Sequence, residues 1–287
     1  MPAAHEPEVL AEAPWLRRFP LRTPTLPPAT HTNVYLLGQG ELLVVDPASP
    51  YPDEQKRLLC YLAELARAGH RPVAILLTHH HLDHIGGTAA LQGALGLPLW
   101  SHARTAERVR ALGLQTSRLI AEGDRLPFSP GGLLALHTPG HAPGHLCLID
   151  ETSGHAIVGD MVASSGTIVI DPDDEGDMGE YLRQLGRLRQ HGPLHLWPAH
   201  GASVVDGAGL LDFYVRHRTA REAKVLWALR TLGGGGIAAL LPLAYDDVSP
   251  QLHGLAARSL RAHLAKLQAE GRATVDETGR WQAIGPG

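Results

Sequence analysis

Four apolar runs in the first two-thirds of the chain each stop at a histidine or an aspartate, and that repeated ending constrains the fold more than any bulk property. Val73-Ala74-Ile75-Leu76-Leu77 stops at Thr78-His79, and Leu133-Leu134-Ala135-Leu136 leads into His137-Thr138-Pro139-Gly140-His141. Ala156-Ile157-Val158 leads into Gly159-Asp160, and Leu194-His195-Leu196-Trp197 into Pro198-Ala199-His200-Gly201. Leu42-Leu43-Val44-Val45 likewise ends at Asp46, followed by a helix opened by Pro52-Asp53 with Leu58, Leu59, Leu62, Leu65 and Ala66 as its apolar stripe and Gly69 as its stop. Apolar runs alternating with helical patterns are the strands of a layered α/β domain. Strand ends converging on one sheet edge deliver their polar residues to a single site.

The densest ending is Thr78-His79-His80-His81-Leu82-Asp83-His84-Ile85-Gly86-Gly87. An expression tag also concentrates histidine, but tags sit at termini and lack an internal Leu-Asp. Imidazoles at i and i+2, followed by an adjacent carboxylate and imidazole, can surround two metal ions side by side, which is the chemistry of a metal-assisted hydrolase. Gly86 and Gly87 permit close backbone approach, and a helix starting there points its positive end at the site.

Composition excludes more than it selects. At 287 residues and 44% hydrophobic, the chain can bury one substantial core and a smaller second one. A net charge of -4 gives no global pull toward nucleic acid or an anionic membrane. Two cysteines, Cys60 and Cys147, stand in no ligand spacing, and both are expected to be buried. The N-terminal stretch lacks a positively charged start and a continuous apolar core, and no run approaches the roughly 20 apolar residues that span a bilayer. A cytoplasmic location and no membrane partner are the expectations.

From about Gly209 the texture changes. Leu211 to Leu232 reads as one helix, broken by Gly233 to Gly236, which lack a following Lys-Ser or Lys-Thr and so form a linker, not a phosphate loop. A short apolar segment, Ile237 to Tyr245, is followed by Ser249 as N-cap with Pro250 at the first helical position. The next helix carries Leu252, Ala256, Leu260, Leu264 and Leu267 on one face and ends at Gly271, and Arg272 to Ile284 reads as a hairpin. Three helices and a hairpin are the layout of a winged helix, so domains are expected at 1–210 and 211–287. From Phe213 onward ten Lys or Arg face six Asp or Glu, a charge of +4 that leaves -8 for the rest. Arg258, Arg261 and Lys266 lie off the apolar stripe, where a solvated face explains them as well as phosphate contact does.

In order and spacing, His79-His80-His81-Leu82-Asp83-His84, Thr138-Pro139-Gly140-His141, Gly159-Asp160 and Pro198-Ala199-His200-Gly201 resemble the metallo-β-lactamase superfamily. The resemblance implies an αββα four-layer sandwich of the α/β class and two metals, Zn2+ first, with Mn2+ or Fe possible. It implies His79, His81 and His141 on one metal, Asp83, His84 and His200 on the second, and Asp160 bridging both. A bridging water acidified to hydroxide would be the nucleophile, positioned by Asp83 and Asp160 as catalytic residues. Within the superfamily the chain resembles the β-lactamase-like protein 2 group, which adds a winged-helix domain and whose animal members are endoribonucleases on single-stranded RNA. The pattern includes Thr32-Asn33-Val34-Tyr35-Leu36-Leu37, Gly166-Thr167, Asp177-Met178, Tyr181, His217-Arg218, Arg221-Glu222 and Trp281. The alternative it leaves is a thioester or ester hydrolase of the hydroxyacylglutathione hydrolase or lactonase type.

Two departures stand out. Asp46-Pro47-Ala48 replaces the usual Asp-Thr-Gly, and Asp171-Pro172-Asp173-Asp174-Glu175 adds acid that would repel a polyanion if it faced the cleft. Asp46 is expected to orient a ligand, and His80 to point away. His145 reads equally as a partner of the site or as a turn residue. His31, His102, His137, His155, His191 and His195 read as structural or surface histidines, and Tyr181 and Thr167 either line the pocket or, for the Tyr, simply fill a helix face.

Overall fold

A computed structural model describes residues 7–192 and 194–285. The chain separates into two compact units. The first takes residues up to Thr138, Pro143–Ile168 and His191–Ala208; the second takes Pro139–Ala142, Val169–Gln190 and the segment from Gly209 onward. The second unit therefore includes two earlier pieces of chain besides the C-terminal region.

The first unit holds two sheets. One has seven strands in chain order: β1 (Glu8–Leu10), β2 (Ala13–Arg22), β3 (His31–Leu37), β4 (Glu41–Val45), β5 (Arg71–Leu77), β6 (Leu99–Ser101) and β7 (Thr116–Leu119). The other has five, in the order β12-β11-β10-β9-β8, from β8 (Arg125–Leu126), β9 (Leu133–His137), β10 (Leu146–Asp150), β11 (His155–Gly159) and β12 (His195–Pro198). β4 and β5 are parallel, as the helix α1 (Pro52–Arg67) between them requires.

The continuous apolar runs follow from burial on both strand faces. Leu43, Val45, Ala74 and Leu76 pack between the sheets with Leu133, Ala135, Leu146, Leu148, Ile157 and Trp197. Their neighbours Val44, Ile75 and Leu77 pack the other way, against Leu58 and Leu62 of α1, Leu91 of α3 (Thr88–Leu95) and Val109 of α4 (Ala103–Arg110). A short helix, α2 (Leu82–Ile85), precedes α3. The helix expected at Gly86-Gly87 is thus two: α2 begins at Leu82 and α3 at Thr88. A Cβ on Gly87 would lie 2.4 Å from the Pro47 carbonyl oxygen, so this glycine admits the loop that follows Asp46.

The second unit contains α5 (Met178–Gln190), α6 (Gly207–Thr231, which starts in the first unit), α7 (Ile237–Ala244), α8 (His253–Ala269) and a hairpin of β13 (Ala273–Val275) and β14 (Trp281–Ala283). Val225, Leu229, Leu240, Leu260, Leu264, Leu267 and Ala273 form its core. Ser249 opens a single 3-10 turn, Pro250–Leu252, closed by the Leu252 N–H on the Ser249 carbonyl at 2.8 Å, and α8 begins only after it. Glu222 of α6 accepts from Lys266 and from Arg272, each at 2.7 Å, tying α6 to α8 and the hairpin. Cys147 is buried, but Cys60 is exposed: it lies about 200° round α1 from Leu58, on the solvent side of the stripe. No helix among the described residues is long and apolar enough to cross a membrane.

Candidate metal centre

Asp46 is where the site is built from. It follows β4 with φ of 50°, a left-handed value that Asp tolerates better than most residues. Its Oδ1 accepts the Thr78 N–H at 2.7 Å, and its Oδ2 accepts the Thr78 hydroxyl at 2.6 Å and His84 Nδ1 at 2.8 Å. The bond from His84 Nδ1 fixes that ring's tautomer and leaves Nε2 to face Asp160 Oδ1 at 3.4 Å. With its proton given to Asp46, the Thr78 hydroxyl accepts from His79 Nδ1 at 3.0 Å, so His79 too presents Nε2, which lies 3.0 Å from His81 Nδ1.

His200 repeats the device with a backbone carbonyl. Its Nδ1 donates to the His31 oxygen at 3.1 Å, and its Nε2 lies 3.3 Å from Asp160 Oδ1 and 3.6 Å from Asp83 Oδ2. One donor atom each from His79, His84 and Asp160 lie within 4.8 Å of one another, as do those of Asp83, His84 and His200. Six of the seven predicted ligands are thereby brought together in the first unit. His141 belongs to the second, where its Nδ1 donates to the Val169 carbonyl at 2.9 Å, again leaving Nε2 as the lone-pair nitrogen.

His145 does not present a ligand. Its Nε2 accepts the backbone N–H of Asp160 at 3.0 Å while Nδ1 donates to the Thr138 hydroxyl at 2.8 Å, so its one lone pair is spent on fixing the Asp160 backbone. Burial holds its pKa down to about 3, in keeping with a neutral acceptor. The glycine before Asp160 belongs to the same arrangement, since a Cβ on Gly159 would sit 2.5 Å from His145 Nε2.

The donor set fits a divalent cation. Burial lowers the His84 pKa, but the carboxylates of Asp160 and Asp46 outweigh it and raise it well above the ordinary value. His200 rises in the same way on account of Asp160, and the Asp160 carboxyl, though burial raises it, is driven well down by His200 and His84. Buried carboxylates thus draw positive charge to His84 and His200, and a cation bound at Nε2 displaces those protons.

Other predicted positions are ordinary. His102 and His137 stack at 3.9 Å, and His155 accepts from Trp197 Nε1 at 2.9 Å. Tyr181 is fully buried on α5. The three cations of α8 are paired: Arg258 with Asp171 at 3.4 Å, Arg261 with Asp173 at 3.8 Å, and Lys266 with Glu222 and Glu270 at 2.7 Å. What sequence reasoning missed are Thr78 and the carbonyls of His31 and Val169. Thr78 joins Asp46 to His79 through its hydroxyl, and its position directly before His79 was the available signal.

Fold and donor set together define a metallo-β-lactamase-fold hydrolase with a His/Asp cluster suited to divalent metal. Residues 27–200 match the metallo-beta-lactamase superfamily, and the chain belongs to it. Residues 237–281 match the beta-lactamase associated winged helix domain. Among relatives, the beta-lactamase-like protein 2 homolog of Drosophila melanogaster is 25% identical over 258 residues, covering 86% of this chain and 85% of that protein. A hydroxyacylglutathione hydrolase of Cereibacter sphaeroides is 33% identical over 173 residues, 59% of this chain and 63% of its own. The crystal structure of a metallo-beta-lactamase family protein from Thermus thermophilus superposes with a TM-score of 0.78 at 25% identity, covering 96% of this chain and all of that one.

Proposed function

We propose that this chain is a binuclear metal-dependent hydrolase acting on the phosphodiesters of single-stranded RNA. The observation that carries the hydrolase is the set of imidazoles, His79, His84, His141 and His200, whose Nδ1 atoms are each committed to an acceptor, which makes Nε2 the coordinating nitrogen of each ring. By the family resemblance, His79, His81 and His141 would hold one cation and Asp83, His84 and His200 the other, with Asp160 serving both. Zn2+ suits the neutral nitrogen and carboxylate donors best, and Mn2+ or Fe suits the same set. Bound metals lower the pKa of a water and polarise the scissile centre. Asp46 keeps the ring of His84 in place, and His145 keeps the Asp160 backbone in place. Asp83, with 18% of its side chain exposed against 9% for Asp160, is the carboxylate nearer the solvent and orients the attacking water.

A single-stranded substrate is supported by α6. Phe213 and Trp227 are 53% and 55% exposed and lie near one face of that helix with Arg216 and His217, about 21 Å apart along its axis. Exposed rings beside a cation such as Arg216 can serve as stacking platforms for unpaired bases. A second reading, hydrolysis of a thioester, is favoured by the pairing of Arg258, Arg261 and Lys266 with carboxylates, which leaves α8 little charge for a polyanion. Two assays on the zinc-loaded chain separate these: cleavage of an end-labelled single-stranded RNA, lost in His81→Ala and Asp83→Ala, supports ribonuclease action. Rapid turnover of S-lactoylglutathione with no RNA cleavage overturns it.

A further inference from the structure

The acidic segment 171–175 has a role that its charge alone does not suggest. It is part of a loop that touches the His141 turn at two points. Val169 accepts from the His141 ring at 2.9 Å, and the N–H of Asp177 donates to the Gly140 carbonyl at 2.8 Å. Between those points the loop is closed on Asp171. Its carbonyl accepts the N–H groups of Asp174 at 3.0 Å and Gly176 at 2.8 Å, and its Oδ1 accepts that of Asp173 at 3.1 Å. The outer side of the closed loop is held by α8 through Arg258 to Asp171 and Arg261 to Asp173.

We propose that Asp171 and Asp173, held by Arg258 and Arg261, are positioning residues for His141, so that α8 governs how tightly one of two metals is held. This rests on the assignment of His141, with His79 and His81, to a metal. The physical reason is leverage on a single bond: the His141 ring takes its orientation from Val169, and Val169 lies two residues from Asp171. Groups that orient a metal-bound histidine change affinity by about 10–100-fold when lost. Exposed ion pairs are individually weak, so the effect of losing these two lies at or just below the low end of that range. Arg258 and Arg261 are then positioning groups for the metal site and not a free nucleic-acid face.

The test is competition between the zinc-loaded full chain and a chromophoric chelator, which resolves the two zinc equivalents without any assay of activity. In Arg258→Glu/Arg261→Glu one equivalent is expected to leave at about 5–10-fold lower chelator concentration, with the other unchanged. Arg261→Glu combined with Asp173→Arg, which reverses one pair, is expected to recover most of the loss relative to Arg261→Glu alone. Arg258→Ala/Arg261→Ala, a milder change that keeps the test open if charge reversal prevents folding, is expected to shift the same equivalent about threefold. Release of both equivalents as in the wild type overturns the proposal, as does equal weakening of both. Fewer than two zinc equivalents in the wild type overturns the assignment beneath it.

Discussion

The imidazoles of the first unit and the cations of α8 handle charge in opposite ways. Around Asp46 each ring gives one nitrogen to a fixed acceptor, the Asp46 carboxylate, the Thr78 hydroxyl or the His31 carbonyl, and keeps the other for a ligand. On α8, Arg258, Arg261 and Lys266 are each matched to a carboxylate of the protein itself. The first arrangement orients one nitrogen of each ring toward a ligand, whereas the second uses up the charge that a helix of this kind could offer a nucleic acid. Similar-looking runs of polar residues can therefore turn atoms toward a ligand in one place and pair within the chain in another.

The comparison sharpens first at Asp46. Asp46→Asn keeps a side chain compatible with φ of 50° but removes the charge behind His84 and sets an amide NH2 against a buried donor, and a loss of metal affinity of about 10–100-fold is expected from competition titration, with a lowered melting curve of the metal-free chain. Next comes Glu222, whose side chain is 9% exposed between Lys266 and Arg272. Glu222→Ala leaves Lys266 and Arg272 with Glu270 as their shared partner and is expected to destabilise the second unit by about 1 kcal/mol, the upper end for exposed pairs, with metal content unaltered. Denaturant melts followed at Trp227 and Trp281 check it.

The last effect is one of pH. Burial, then the charges of Arg218, Lys266 and Arg221, hold the fully buried His263 well below its ordinary 6.5. A group whose folded pKa is depressed contributes stability above its unfolded pKa and loses it as pH falls, so the second unit should weaken by about 1 kcal/mol between roughly pH 6.5 and 5.5. His263→Leu should flatten that slope, and a slope that persists in the variant assigns it to other groups.

Much of the fold was legible in the sequence because strand period and helix period are local properties. The sandwich and the three helices with a hairpin could be read in that way, and the proposed ligands stand at or near the ends of the apolar runs. What could not be read is non-local. His145 could not be weighed without seeing the Asp160 N–H 3.0 Å from its ring. Arg258 and Arg261 could not be told from phosphate contacts, because their partners lie more than eighty residues earlier in the chain. Cys60 was misread for a local reason: an apolar run such as Leu58-Leu59-Cys60-Tyr61-Leu62 hides which of its members face water. Ser249 and Pro250 open one 3-10 turn with no capping bond from the Ser249 side chain, and α8 starts only at His253.

The central claim is that two metals are held by one pre-oriented donor set. Elemental analysis of the zinc-reconstituted chain beside His84→Ala tests it most directly, because the proposal gives His84 to one metal and His79, His81 and His141 to the other. Two zinc ions per chain falling to one in the variant is the predicted result. One or none in the wild type, or two in both, contradicts it.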